Sequence, residues 1–224
     1  MPPAPERLLK MTPELVLFDC DGVLVDSEGV TVRMLVQDLG SRGLDLTPED
    51  SHKLFVGGTI WGAGEIAREM GADIPEGWSE RFYELLFEEL AKGVPLVRGV
   101  VELLDDLEAR GIAAGVVSNG SERKMQITLG PHGLWDRFQG RIFSAHTLGV
   151  AKPDPEILHI ALRQFGVSAD RAVFVDDSPS GCKAGMVAGV RMIGFAEHSN
   201  AARLEGVCDH VADSMAEVRE FLGI

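Results

Sequence analysis

Apolar positions along the chain fall into two rhythms. The first is the continuous run, as in Leu15-Val16-Leu17-Phe18 and again in Ala113-Ala114-Gly115-Val116-Val117 and Ala172-Val173-Phe174-Val175. Short apolar runs bounded by turn residues suit strands buried on both faces, as in a parallel sheet. The same rhythm predicts strands over 141–145 and 190–195. The second rhythm repeats every three to four residues, as in Val30, Met34, Leu35 and Leu39, or Phe82, Leu85, Leu86 and Leu90. That spacing predicts amphipathic helices over 28–39, 60–70, 78–91, 100–109, 122–129, 155–165, 180–188 and 215–222. Thr47-Pro48 supplies an N-cap and a first helical residue for a further short helix ending near Phe55.

The order of these elements divides the chain. Residues 28–93 read as helix throughout, whereas strands and helices alternate from Pro95 onward. Alternation implies a doubly wound parallel α/β sheet. The expected organisation is an α/β core over 13–27 and 94–224 with an all-helical cap inserted at 28–93. The expected hinges lie near Val25-Asp26 and Gly93-Val94-Pro95. Residues 1–12, rich in proline, read as a loose tail with no apolar leader segment.

Length and composition then narrow the class. The 224 residues carry 45% hydrophobic and 25% charged residues, ordinary values for a globular protein. The net charge of -14 argues against nucleic acid and anionic membranes as partners. It leaves room for a small anionic substrate at a local cationic site. No apolar run is long enough to span a bilayer. Cys20, Cys182 and Cys208 are scattered and lack metal-ligand spacing. They read as reduced thiols of a cytoplasmic protein. Cys20 reads as a small buried apolar residue rather than a catalytic thiol.

Candidate chemistry gathers where the buried runs end. The first run ends in Asp19-Cys20-Asp21-Gly22, the second in Ser118-Asn119-Gly120 and the fourth in Asp176-Asp177-Ser178. Lys152-Pro153-Asp154-Pro155 follows the strand over 141–145. In an open α/β sheet ligands bind at the carboxyl ends of the strands. Each segment alone is an ordinary turn or cap. Four carboxylates, one lysine and a hydroxyl at one sheet edge suit a hard divalent cation and a phosphoryl group.

These four segments, in this order and spacing, resemble the four motifs of the haloacid dehalogenase superfamily across residues 14–222. The helical insert resembles the small cap of its phosphoglucomutase-like subgroup. Ser118-Asn119-Gly120 followed by Lys124-Met125-Gln126 is similar to the sugar-phosphate and 6-phosphogluconate phosphatases. The resemblance implies a phosphomonoesterase that hydrolyses a small phosphorylated sugar or sugar acid through an aspartyl-phosphate. Asp19 would be the nucleophile and Asp21 the general acid and base. Mg²⁺ would be held by Asp19, the Asp21 backbone carbonyl and Asp177, with Asp176 binding it directly or supporting its ligands. Ser118, Asn119 and Lys152 would hold the phosphoryl oxygens.

A sugar phosphomutase is the alternative, and a non-catalytic binding protein on the same fold a third. Two features weigh against the mutase: Thr31 stands where such mutases place a histidine, and the cap loop Gly57–Gly62 carries no cation. A phosphonatase would need a cap lysine, and Lys53 falls in a surface-like helix. Within the cap loop, Thr59 and Trp61 are candidate substrate contacts. Arg123 and Lys124 are candidates for a substrate carboxylate. A small phosphorylated metabolite is the expected partner and a monomer the expected state.

Overall fold

The computed structural model describes residues 12–55, 59–196 and 201–224. The chain forms two compact units. One is Asp26–Pro95, and the other combines the segments up to Val25 and from Leu96 onward.

The larger unit holds one six-stranded parallel sheet in the order β3-β2-β1-β4-β5-β6. The strands are β1 (Leu15–Phe18), β2 (Ala113–Ser118), β3 (Ile142–Ser144), β4 (Ala172–Asp176), β5 (Arg191–Phe195) and β6 (His210–Ala212). β1 pairs on one side with β2, Leu17 opposite Gly115, and on the other with β4, Leu17 opposite Phe174. Its four residues are wholly buried, which accounts for the unbroken apolar run. Alternate residues of β1 feed two separate cores. Val16 and Phe18 pack with Leu103, Leu107, Val116, Met125 and Val218. Leu15 and Leu17 pack with Ile157, Leu158, Phe174 and Met192.

The smaller unit is the helical insert. It contains α1 (Glu28–Gly40), α2 (Pro48–Phe55), α3 (Ile60–Glu69) and α4 (Trp78–Leu90). Its core includes Leu35, Leu39, Phe55, Ile60, Ala67, Trp78, Phe82 and Leu86. Trp78 Nε1 donates to Asp38 Oδ2 at 2.6 Å, joining α4 to α1. Asp26 N–H donates to Pro95 O at 3.0 Å and ties the two ends of the unit together.

The larger unit continues with α5 (Val100–Ala109), α6 (Glu122–Leu129), α7 (Leu134–Arg137), α8 (Ala145–Leu148), α9 (Glu156–Phe165), α10 (Pro179–Ala188) and α11 (Met215–Leu222).

Two differences from the sequence expectation stand out. β6 was not expected: it is three residues long, and its first residue, His210, is exposed. Such a strand leaves no apolar run to read. Leu85 was placed on the buried face of α4, but it is 43% exposed, and Phe87 takes a core position instead. Residues 1–11 of the expected tail, and Gly57 and Gly58 of the cap loop, lie outside the described residues.

Candidate active site

The sheet topology brings the polar ends of β1, β2 and β4 together, because β1 lies between the other two. Asp19 follows β1, Ser118 ends β2 and Asp176 ends β4. Asp19 N–H donates to Val175 O at 2.8 Å, extending the ladder one residue past the strand. Lys152 comes from the loop after α8, and its Lys152-Pro153 peptide bond is cis.

Lys152 is the hub. Its ammonium donates to Asp176 Oδ2 at 2.6 Å, Asp19 Oδ1 at 2.8 Å and Val117 O at 3.3 Å. All three side chains are buried, with Asp176 fully so. Burial opposes the charge on Lys152, yet the carboxylates of Asp176 and Asp19 hold its pKa above the ordinary value for lysine. Asp19 moves the other way from a simple ion-paired acid. Burial, with Asp176 and Asp21 adding negative charge, pushes it up to about 7 against the pull of Lys152. Burial is the main cause for Asp19, and Asp19 and Asp176 share the one ammonium, which leaves an excess of acidic groups over cations at this point.

That excess is the test for a cation. Oxygen atoms of Asp19, Asp176 and Asp177 lie within 4.8 Å of one another, and all three residues are buried. A group of hard carboxylate oxygens with incomplete charge compensation fits a divalent cation such as Mg²⁺ or Ca²⁺. The local backbone is shaped around these acids. Gly22 has φ of +76°, and a Cβ there would overlap Asp177 Oδ2. Gly181, in the first turn of α10, leaves room for the Asp176 carboxyl group in the same way.

The remaining expected residues sort clearly. Ser118 Oγ accepts from Gly120 N–H at 3.0 Å. Asn119 spends its side chain on Lys152: its Nδ2 donates to Lys152 O at 3.0 Å, and its Oδ1 accepts from Lys152 N–H at 2.8 Å. Asp21 is partly exposed, and its Oδ1 lies 2.8 Å from the Lys124 ammonium. Arg123, the neighbour of Lys124, is exposed. Cys20 is buried between the two acids, and burial with the charges of Asp21 and Asp19 raises its thiol pKa well above normal. That suits a packing residue rather than a nucleophile.

Thr59 and Trp61 belong to the helical unit. Thr59 Oγ1 caps α3 by accepting from Gly62 N–H at 3.1 Å. Trp61 is 43% exposed; its ring packs against Tyr83 at 4.9 Å, and its Nε1 donates to Glu80 Oε1 at 3.4 Å.

Sequence reasoning missed two supporting hydroxyls. Ser178 donates through Oγ to Asp176 Oδ1 at 2.6 Å and through its N–H at 2.8 Å, while its Oγ accepts from Gly181 N–H. Ser144 Oγ donates to Gly120 O at 2.7 Å and braces the Ser118-Asn119-Gly120 turn. Ser178 stands beside Asp176-Asp177 in the sequence, and Pro179 after it is the signal that marks it as a helix cap. Ser144 lies 24 residues from its partner, and no local pattern marks it.

Comparison with known proteins decides the family. Residues 16–195 match the haloacid dehalogenase-like hydrolase model. The chain belongs to that family. It is 32% identical to the 6-phosphogluconate phosphatase of Escherichia coli over 81% of its own length and 82% of that protein. A haloacid dehalogenase-like protein of Agrobacterium tumefaciens superposes with a TM-score of 0.83 at 33% identity, covering 94% of this chain and 97% of the other. A family hydrolase of Deinococcus radiodurans, solved with bound phosphate and sodium, gives 0.80 at 28% identity over 95% and 96%. The chain is thus an enzyme of the hydrolase class, and the family member it resembles in Escherichia coli is a phosphatase.

Proposed function

We propose that this hydrolase is a Mg²⁺-dependent phosphomonoesterase that acts in the cytoplasm on a small phosphorylated sugar or sugar acid through an aspartyl-phosphate. The observation that carries the reading is the pair of acids that end β1. Asp19 is buried against Lys152, whereas Asp21, two residues on, is partly exposed and paired with a different cation. The two environments suit two tasks, a nucleophile and a proton carrier.

In this reading Asp19 Oδ attacks phosphorus, and the bond from phosphorus to the ester oxygen breaks. Asp21 gives its proton to the departing oxygen. A water molecule then attacks the phosphorus of the aspartyl-phosphate, Asp21 takes the proton back, and Asp19 is restored as phosphate leaves. Lys152, the Ser118 hydroxyl and the Asn119 backbone amide hold the phosphoryl oxygens. Asp19, Asp177 and the Asp21 carbonyl would hold Mg²⁺, with Asp176 beside them. Bound there, the ion would offset charge on the phosphoryl oxygens.

The test is release of phosphate from an aryl phosphate with and without Mg²⁺, and capture of a phosphoryl adduct on the peptide containing Asp19. Hydrolysis without Mg²⁺, or an adduct on another residue, overturns the reading. With a hexose monophosphate as the substrate, formation of its isomer in place of inorganic phosphate would assign the chain to the mutases instead.

A further inference from the structure

The larger unit places a second cation beside the proposed site, apart from the one that serves Asp19. Lys124 stands in the first turn of α6, directly after the phosphate-binding turn. Ser121 Oγ caps that helix by accepting from Lys124 N–H at 3.2 Å. Thr128 Oγ1 accounts for the Lys124 carbonyl at 3.1 Å. The backbone of Lys124 is therefore fixed, and its side chain is only 15% exposed. The ammonium lies 2.8 Å from Asp21 Oδ1. Lys152 is already committed to Asp19 and Asp176. Arg123 is exposed.

If Asp21 protonates the leaving group, the ester oxygen sits within hydrogen-bond reach of an Asp21 oxygen, about 2.6–3.2 Å away. The ester oxygen is then about 4–6 Å from the Lys124 ammonium, the two contacts sharing one carboxyl group. A carboxylate one or two carbons from the ester oxygen covers that span, since each carbon–carbon bond adds about 1.5 Å. It would form a charge-assisted hydrogen bond with Lys124. A carboxylate at the far end of a six-carbon chain lies well beyond the span when the chain is extended.

We infer that Lys124 selects phosphate esters of short hydroxy acids, whose carboxylate lies one or two carbons from the ester oxygen. This rests on the phosphomonoesterase reading and narrows it. Lys124 is a specificity residue here; it recognises the body of the substrate while Lys152 serves the phosphoryl group.

The experiment compares three esters with Mg²⁺ on wild type and on Lys124→Met: 2-phosphoglycolate, glycol monophosphate (the same two-carbon skeleton with a primary alcohol, CH2OH, in place of the carboxylate) and 6-phosphogluconate. An aryl phosphate runs alongside. Wild type should prefer 2-phosphoglycolate over glycol monophosphate by about tenfold to a hundredfold in kcat/KM, the range of one charge-assisted hydrogen bond. Lys124→Met should collapse that ratio toward one, with a smaller change for 6-phosphogluconate relative to glycol monophosphate. Absence of Mg²⁺-dependent aryl phosphatase activity in wild type would sink the phosphomonoesterase reading itself. Activity without the wild-type preference would overturn the role of Lys124 alone, and that comparison needs no variant to fold. Equal losses for all three esters in Lys124→Met would show that the lysine serves Asp21 and not the substrate.

Discussion

The polar residues of the two units are held in opposite ways. In the α/β unit Asp19, Lys152 and Asp176 are almost wholly withdrawn from solvent and satisfy one another. In the helical unit the candidate contacts Thr59 and Trp61 are exposed, and each is held by its own or a neighbouring helix. A buried ionic cluster tolerates almost no change, because removing one member strands the others in a low dielectric. An exposed threonine or tryptophan can change at small cost. The contrast suggests where variation within such an enzyme should concentrate, in choice of substrate and not in the phosphoryl chemistry.

The largest expected effect breaks the chemistry outright. Asp19→Asn should reduce phosphatase turnover to background while the folded state survives, because an amide is a far weaker nucleophile and ligand. Steady-state assays paired with circular dichroism decide it, and residual activity above a trace would remove Asp19 from its role. Asp21→Asn should cost about 10²–10⁴-fold on an alkyl phosphate and less on an aryl phosphate, whose leaving group needs little protonation. Equal losses on both substrates would refute the general-acid assignment.

Lys152→Met tests the buried cluster as structure. It strands Asp19 and Asp176, and breaking such a buried pair is expected to cost about 3–5 kcal/mol of stability. Urea unfolding monitored on the α/β unit measures it. A loss near zero would show that the cluster is not electrostatically coupled.

Proton–metal competition comes next. The Asp19 carboxyl, raised to about 7 in the folded protein from the ordinary aspartate value of about 4, binds more protons folded than unfolded between those values. Stability of the metal-free protein should therefore fall as pH rises through that window. Mg²⁺ needs the ionised carboxylate, so its affinity should weaken below about pH 7, by at most about tenfold per pH unit for one proton displaced. Thermal shift titrations at pH 6 and pH 8 should show a larger Mg²⁺ effect at the higher pH; the reverse order would contradict the Asp19 shift. The smallest effect lies in the helical unit. Thr59→Ala removes the α3 cap and should cost about 1 kcal/mol, read as faster amide exchange in the first turn of α3.

How far the sequence could be read follows from the same contrast. The strands of the sheet centre are legible because a strand buried on both faces has no polar positions to confuse the pattern. β6 is not, since it lies at the sheet edge and half of it faces water. The segments at Asp19, Ser118 and Asp176 are legible because each terminates an apolar run, whereas Lys152 lies in a loop past β3 and α8 and is legible only by its place in the order of the four. What the sequence leaves open is phase within a helix turn. Arg123 and Lys124 are chemically similar neighbours, and only the phase of α6 leaves one exposed and brings the other to Asp21. The bond from Ser144 to Gly120 is likewise invisible, because sheet pairing, not chain proximity, brings β3 beside β2.

The paired bonds between Asn119 and the backbone of Lys152 have a mechanical consequence. An amide side chain that both donates to and accepts from one residue behaves as a clasp, fixing the separation and the tilt of the two loops at once. The arm that carries the Ser118 hydroxyl and the arm that carries the Lys152 ammonium are thereby joined into one jaw. Asn119→Ala should uncouple the arms and let each wander on its own, so a phosphate group would meet two loosely related grips in place of a single tool of fixed width.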